Sequence, residues 1–134
     1  MNRRMTGIGI WIALSVMTLF GAGCAAVAVG VVGGGVATAV YKNGELSQAY
    51  SVPIEKAWKA SEEVVAEKNM KVSEKFIDNT ERNRAIKGNT QDGKDFQINL
   101  EAKAAEVTAI RVRIGFAGDE AYSRKIQEWI SQKF

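Results

Sequence analysis

The chain has 134 residues, with 18 basic and 15 acidic side chains, a formal net charge of +3 and no histidine. Without histidine it lacks the commonest general base and metal ligand, and any Ser-His-Asp or Cys-His arrangement is excluded. We therefore expect a protein that is not an enzyme and that holds no metal or cofactor.

The N-terminus has the pattern of a bacterial lipoprotein signal peptide. Arg3 and Arg4 precede an uncharged run, Met5–Tyr41, and small residues, Gly21–Gly23, precede Cys24, the only cysteine. A basic tip, an apolar core and a small-residue cleavage site are typical of export signals. The pattern predicts that residues 1–23 are removed and that Cys24 becomes a lipid-modified N-terminus. Gly21 departs from the usual lipoprotein pattern, which has Leu, Val or Ile at this position.

Two other interpretations of the leader stay open. Its uncharged run is longer than the roughly 20 residues that cross a bilayer. It would serve as an uncleaved anchor, with Arg3 and Arg4 in the cytoplasm, or as two spans that turn near Gly21–Gly23 and return the domain to the cytoplasm.

Removal of the leader also changes the charge balance. Without Arg3 and Arg4, 16 basic side chains stand against 15 acidic ones, a net charge of +1. The basic character belongs partly to the leader, so we expect no nucleic-acid partner.

Residues 24–43 are predicted to link the lipid anchor to the domain. The stretch Ala25–Ala39 is rich in glycine, alanine and valine, and glycines penalise an isolated helix. This favours a flexible apolar tether at the bilayer surface. Gly30 and Gly34 also permit close helix contact inside a membrane, so the Gly30–Gly35 segment is alternatively a self-association surface.

The domain is predicted to occupy residues 44–134 and to open with a strand and a helix. Alternating apolar residues predict a strand over Glu45–Val52. Pro53 suits a first helical turn, and an apolar stripe continues from Ile54 to about Lys68. Asn69 is a plausible left-handed stop.

Four further strands and a final helix are predicted. Met70–Ile77 is a strand, and Arg84–Thr90, whose only large apolar residue is Ile86, is a weak strand at a sheet edge. Asp92-Gly93 indicates a hairpin. The clearest strands alternate apolar and polar residues over Phe96–Glu101 and Ala109–Phe116, and Gly118-Asp119-Glu120 opens the last helix. The order β-α-β-β-β-β-α predicts an α+β domain with an antiparallel sheet of about five strands and the helices on one face.

Basic residues on the predicted strands form one candidate site. Arg111 and Arg113 share the outward face of one strand, and Arg84 and Lys87 lie on a neighbouring one. If these side chains converge, they form a basic face for anionic lipid headgroups or an acidic partner. The plainer alternative is a solvated sheet face whose charges are balanced by carboxylates such as Glu101.

Trp58 and Trp129 form a second candidate, because each lies at core spacing on its predicted helix. Core packing explains both tryptophans. The alternative is an apolar cavity between helix and sheet that holds a lipid-like ligand.

Acidic pairs give little indication of chemistry. Glu62 and Glu63 are adjacent on a helix and so point in different directions, which favours a solvated face. Asp92 and Asp95 flank a turn, and two oxygen donors fall short of a calcium site.

The order of motifs resembles an uncharacterised bacterial lipoprotein family, domain of unknown function 3568. The residues that carry the resemblance follow the cysteine and its Gly/Ala/Val stretch: Tyr41, Gly44, Glu45, Leu46, Pro53, Ile54, Trp58, Asp92, Gly93, Gly118–Ala121, Ser123, Arg124 and Ile126. The resemblance implies a small envelope lipoprotein and supplies no catalytic residue.

The sequence therefore predicts a non-enzymatic envelope lipoprotein, anchored through Cys24, whose domain faces the periplasm and binds an envelope protein or acts as an accessory subunit. Ala25 stands where an aspartate often retains lipoproteins in the inner membrane, so the outer membrane is favoured. The alternative function is a carrier of an apolar small molecule or lipid.

Overall fold

The computed structural model describes residues 38–134, which form one sheet and two helices. The elements in chain order are β1 (Val40–Lys42), β2 (Glu45–Tyr50), α1 (Ile54–Glu67), β3 (Lys71–Ile77), β4 (Asn83–Asn89), β5 (Asp95–Ala104), β6 (Val107–Ile114) and α2 (Glu120–Ser131).

The sheet has six antiparallel strands in the order β1-β2-β6-β5-β4-β3. Both helices pack on one face, where α1 contacts β5 and β6 and α2 contacts β2 and β6. The predicted α+β class and antiparallel sheet are confirmed. The sheet has one strand more than predicted.

The additional strand is β1, which lies within the segment predicted to be a tether. Asn43 and Gly44, the two residues between β1 and β2, both have positive φ, of 54° and 81°. Two positive-φ residues between antiparallel strands form the tight hairpin for which Asn-Gly is the preferred sequence. The folded domain thus begins by Val40 rather than at Gly44.

The prediction that β4 is an edge strand is wrong, because β4 lies between β5 and β3. Gly88 of β4 faces the backbone of β3 closely. A β-carbon built on Gly88 would lie 1.9 Å from the carbonyl oxygen of Lys71. Strand β3 is the edge instead, and all of its residues are exposed.

The core lies between the helices and the sheet. Aliphatic side chains of β4, β5 and β6 meet Trp58, Val64 and Ile126 from the helices, and most of them are fully buried. Burial of this apolar surface is the main stabilising contribution to the fold.

The helix ends follow the sequence closely. Asp119 accepts a hydrogen bond from the backbone N–H of Tyr122 at 3.0 Å and so caps α2. Asn69 has a φ of 51° just after α1, as predicted for a left-handed stop. Neither helix is long and apolar enough to cross a membrane, a statement that covers residues 38–134 only.

Strand β6 ends at Ile114, two residues earlier than predicted. Gly115 has a φ of 71°, which turns the chain away from the sheet. Phe116 was expected to alternate inward with Ile114, yet its surface is 94% exposed.

Candidate functional site

The candidate site lies on the sheet face opposite the helices, which no element of residues 38–134 covers. Strand register places one row of outward residues across five strands: Glu45, Arg113, Gln97, Lys87 and Glu74. A second row contains Ser47, Arg111, Asn99, Ala85 and Phe76. This outer face is polar, which is typical of the solvated side of an antiparallel sheet.

Two of the predicted basic residues are neutralised on this face. Arg111 forms ion pairs with Glu45, at 3.4 Å, and with Glu101, at 3.7 Å. Lys87 donates a 3.2 Å hydrogen bond to Glu74 on the neighbouring strand. The outer face is therefore a mixed-charge surface rather than a continuous basic one.

Arg84 lies on the other side of the sheet from Arg111 and Arg113. Its side chain is buried beneath α1, donates a 3.0 Å hydrogen bond to Glu55 and lies 5.8 Å from the ring centroid of Trp58. The hydrogen bond from Arg84 holds the pKa of the Glu55 carboxyl below its usual range. The structure thus brings Arg111, Arg113 and Lys87 to one face and assigns Arg84 to the core.

Arg113 differs from the other two cations because it has no ion pair among the described residues. It donates a hydrogen bond of 2.5 Å to the backbone carbonyl of Phe116 instead. The guanidinium thus ties down the loop that presents the exposed Phe116 ring.

A shallow depression of about 500 Å³ lies beside this loop. Its lining includes Arg113, Phe116, Lys87, Gln97 and Ser73. It combines two cationic groups, the Asp95 carboxylate, hydrogen-bonding side chains and an exposed aromatic ring. Arginine and aromatic residues are enriched at protein interfaces.

The two tryptophans lie on the helical side. Trp58 is 9% exposed and belongs to the core, whereas Trp129 is half-buried at the core's margin. Trp129 packs edge-to-face against Tyr122, with ring centroids 6.4 Å apart, and the Lys68 ammonium lies 4.2 Å from the centroid of the Trp129 ring. Core side chains therefore surround Trp58, whereas Trp129 borders a shallow surface depression that Tyr122 and Lys125 also line.

The acidic candidates take part in local contacts. Glu62 accepts a 2.8 Å hydrogen bond from Lys75, and Asp92 accepts a 2.6 Å one from the Thr90 hydroxyl. Asp95 accepts a 2.7 Å one from Asn89. Within residues 38–134 no three His, Cys, Asp or Glu side chains are grouped to hold a metal ion.

The predicted lipidation site, Cys24, and the Gly30–Gly35 segment lie outside the described residues. Two exposed aromatic residues were missed by the sequence analysis as surface features, Phe116 and Phe76. Gly115, directly before Phe116, was the available indication that the strand ends and the ring turns outward.

The described residues thus form a small α+β domain with one sheet face that the helices do not cover. The family model described as "Protein of unknown function (DUF3568)" matches residues 7–133, and the chain belongs to this family. A search of curated proteins finds no match to the chain.

Proposed function

We propose that this protein is a membrane-anchored lipoprotein of the bacterial envelope that binds another envelope protein and has no enzymatic activity. The observation that carries the proposal is the leader that ends in Gly21–Gly23 before Cys24. Cys24 lies 16 residues ahead of Val40, where β1 begins. The cysteine is thus available to a lipid while the domain stays folded.

The anchor needs no transmembrane helix in this proposal. Each buried acyl methylene group contributes about 0.8 kcal/mol, so several acyl chains together hold a protein durably on a bilayer. The domain then faces the periplasm, and Ala25 after the cysteine favours the outer membrane.

The depression beside Phe116 and Arg113 is the proposed contact surface. Phe116 is 94% exposed, so a partner that covers its ring would gain favourable apolar burial. Arg113 adds a cation that no carboxylate within residues 38–134 pairs with. Filled packing around Trp58 favours this surface contact over the alternative of a lipid carrier.

Replacement of Cys24 tests the anchor. Cys24→Ser removes the only thiol that accepts a lipid, so we expect a full-length, unprocessed precursor whose domain is folded. Gly21→Leu is the matched variant, because it restores the usual residue at this position and should mature at least as well as wild type. Immunoblots measure the maturation of each variant. Normal maturation of Cys24→Ser would contradict the proposal.

A further inference from the structure

Strand β3 is an exposed edge with an unusual concentration of apolar side chains. Among residues 38–134, five large hydrophobic side chains are exposed, and β3 carries Val72, Phe76 and Ile77. Their exposed fractions are 42%, 51% and 47%. An edge strand that exposes both its backbone and apolar side chains is a template for pairing with another strand.

The pairing of β3 with β4 determines which backbone N–H and C=O groups of β3 point to the free edge. Asp78 donates its backbone N–H to the carbonyl of Asn83 at 2.9 Å. Backbone groups alternate in direction along an antiparallel strand, so Phe76 also faces β4. The N–H and C=O groups of Lys75 and Ile77 therefore point to the free edge.

We propose that a second copy of this chain pairs antiparallel with that edge, about a two-fold axis at Phe76. The two-fold axis of such a pair is normal to the sheet. The residue at the axis therefore lies opposite the same residue of the other copy. A centre at Glu74 or Lys75 places like charges opposite each other, and a centre at Ile77 places Phe76 opposite Asp78. A centre at Phe76 pairs the two aromatic rings and places Lys75 opposite Ile77.

This register uses all of the free backbone groups just described. Lys75 and Ile77 of each copy exchange hydrogen bonds with Ile77 and Lys75 of the other. The Phe76 side chains occupy the position between these bonds, where opposing strands are closest and aromatic pairs stabilise a sheet.

The opposing carboxylates at the ends of the pair limit its strength. Glu74 lies opposite Asp78, but Lys87 pairs with Glu74 at 3.2 Å. Asn83 and Thr80 donate hydrogen bonds to Asp78 and lower its pKa to about 2. Lys87 thus offsets the charge of Glu74, whereas Asp78 stays ionised and its repulsion from the opposing Glu74 weakens the pair. The bulge between Val72 and Glu74 confines regular pairing to the following residues.

Pairing of two β3 strands is self-limiting, because it consumes the β3 edge of both copies. The result is one twelve-stranded sheet with all helices on the same face. A contact this short is weak in dilute solution, and confinement to a membrane raises the local concentration of partners. Only this last point rests on the proposed function.

Disulfide trapping in isolated membranes tests the register. Phe76→Cys places two thiols opposite each other at a Cα separation of about 4.5 Å, within the range that a disulfide spans. We expect a homodimer on mild oxidation. Glu74→Cys is the matched control, because its two copies lie about 13 Å apart along the strands and should not cross-link. Wild type controls for disulfides through Cys24.

A proline substitution tests the backbone contribution in the Phe76→Cys protein. Lys75→Pro removes an N–H that points to the free edge and leaves the bonds to β4 intact. Lys75→Thr removes the same charge and keeps the N–H. We expect the cross-link to disappear with Pro and to persist with Thr, while circular dichroism shows both variants folded.

The proposal is overturned if Phe76→Cys gives no dimer, if Glu74→Cys cross-links equally well, or if the Pro and Thr variants behave alike. None of these outcomes alters the expected maturation at Cys24, so failure of the pairing and failure of the anchor are distinguishable.

Discussion

The backbone of Gly118 packs directly against the backbone of Gly44. A β-carbon built on Gly118 would lie 2.3 Å from the Cα atom of Gly44 and 2.5 Å from the hydroxyl of Tyr41. Tyr41 and Gly44 belong to the first motif of the family resemblance, and Gly118 belongs to the last. Residues more than seventy positions apart in sequence thus form one contact, which joins the β1–β2 hairpin to the start of α2.

Substitution of Gly118 tests this contact. Gly118→Ala is expected to lower the free energy of unfolding by about 3 kcal/mol or more, from positive-φ strain and overpacking together. Gly93→Ala is the control, since Gly93 has the same φ of 85° and nothing within 4 Å of its added β-carbon. It should cost only about 1 kcal/mol. Equal losses for the two variants in urea denaturation would contradict the packing.

A buried polar network joins α2 to the sheet. Tyr50 donates a 2.8 Å hydrogen bond to the side chain of Gln127, which in turn donates to the carbonyls of Ile110, at 2.7 Å, and Leu46, at 3.3 Å. Burial raises the pKa of the Tyr50 hydroxyl, so it remains a donor at neutral pH.

Removal of the Gln127 side chain should weaken this network. Gln127→Leu is expected to destabilise the domain by about 1–3 kcal/mol, because the Tyr50 hydroxyl loses its closest acceptor and keeps the Gln48 side chain, at 3.0 Å. Tyr50→Phe in the same background should restore part of the loss. Strictly additive effects in a double-mutant cycle would show that the two side chains are not coupled.

The ion pair between Glu55 and Arg84 predicts a pH dependence of stability. The pKa of Glu55 is lower in the folded state, so its contribution is present above the ordinary glutamate pKa of about 4.3 and is lost as the pH falls through the folded value. Glu55→Gln should therefore destabilise the domain at neutral pH and approach wild type in acid.

The effect of Glu55→Gln should be modest, because the Glu55 side chain is 70% exposed and water screens the pair. Glu63→Gln controls for loss of a carboxylate elsewhere on α1. The measurement is the free energy of unfolding of both proteins as a function of pH. A difference between wild type and Glu55→Gln that is the same at every pH would contradict the contribution of this ion pair.

The exposed ring of Phe116 should report on a bound partner. A benzophenone side chain placed at residue 116 in cells is expected to form an adduct with another envelope protein, because the ring projects from the proposed contact surface. The same probe at Gln132, beyond the end of α2, serves as the control position. Arg113→Ala should reduce the adduct at residue 116, because Arg113 holds the loop. Equal labelling from both positions would argue against a specific surface at Phe116.

Periodicity in the sequence predicted most of the elements that the structure contains. Alternation identified β5 and β6 because each has one buried and one solvated face. The stripe from Ile54 identified α1 for the corresponding reason. Each of these elements is buried on one face only, and this produces a periodic apolar pattern that can be recognised in a single sequence.

Such patterns do not predict which strands are neighbours in the sheet. The edge position of β3 and the interior position of β4 are features of strand order, and Gly88 allows the close approach of the Lys71 backbone between them. Arg84 carries a charge, yet α1 and Glu55 let it lie buried. Strand β1 lies at the end of the uncharged run and shows no alternation of its own, although Asn43-Gly44 was a hairpin signal of the kind recognised at Asp92-Gly93.

The candidate site was predicted in part. Arg111, Arg113 and Lys87 do share the outer face, as strand alternation implies. The ion pairs of Arg111 and Lys87 with carboxylates on neighbouring strands follow from strand order and register, which one sequence does not provide. The depression beside Phe116 depends on the turn at Gly115, a local backbone feature that alternation alone does not reveal.

The intact mass of the protein extracted from membranes tests the central claim most directly. A lipoprotein anchored at Cys24 should give the mass of residues 24–134 plus its acyl chains, and Cys24→Ser should give the full chain without them. A wild-type mass equal to that of all 134 residues would contradict the lipid anchor and indicate an uncleaved N-terminal segment.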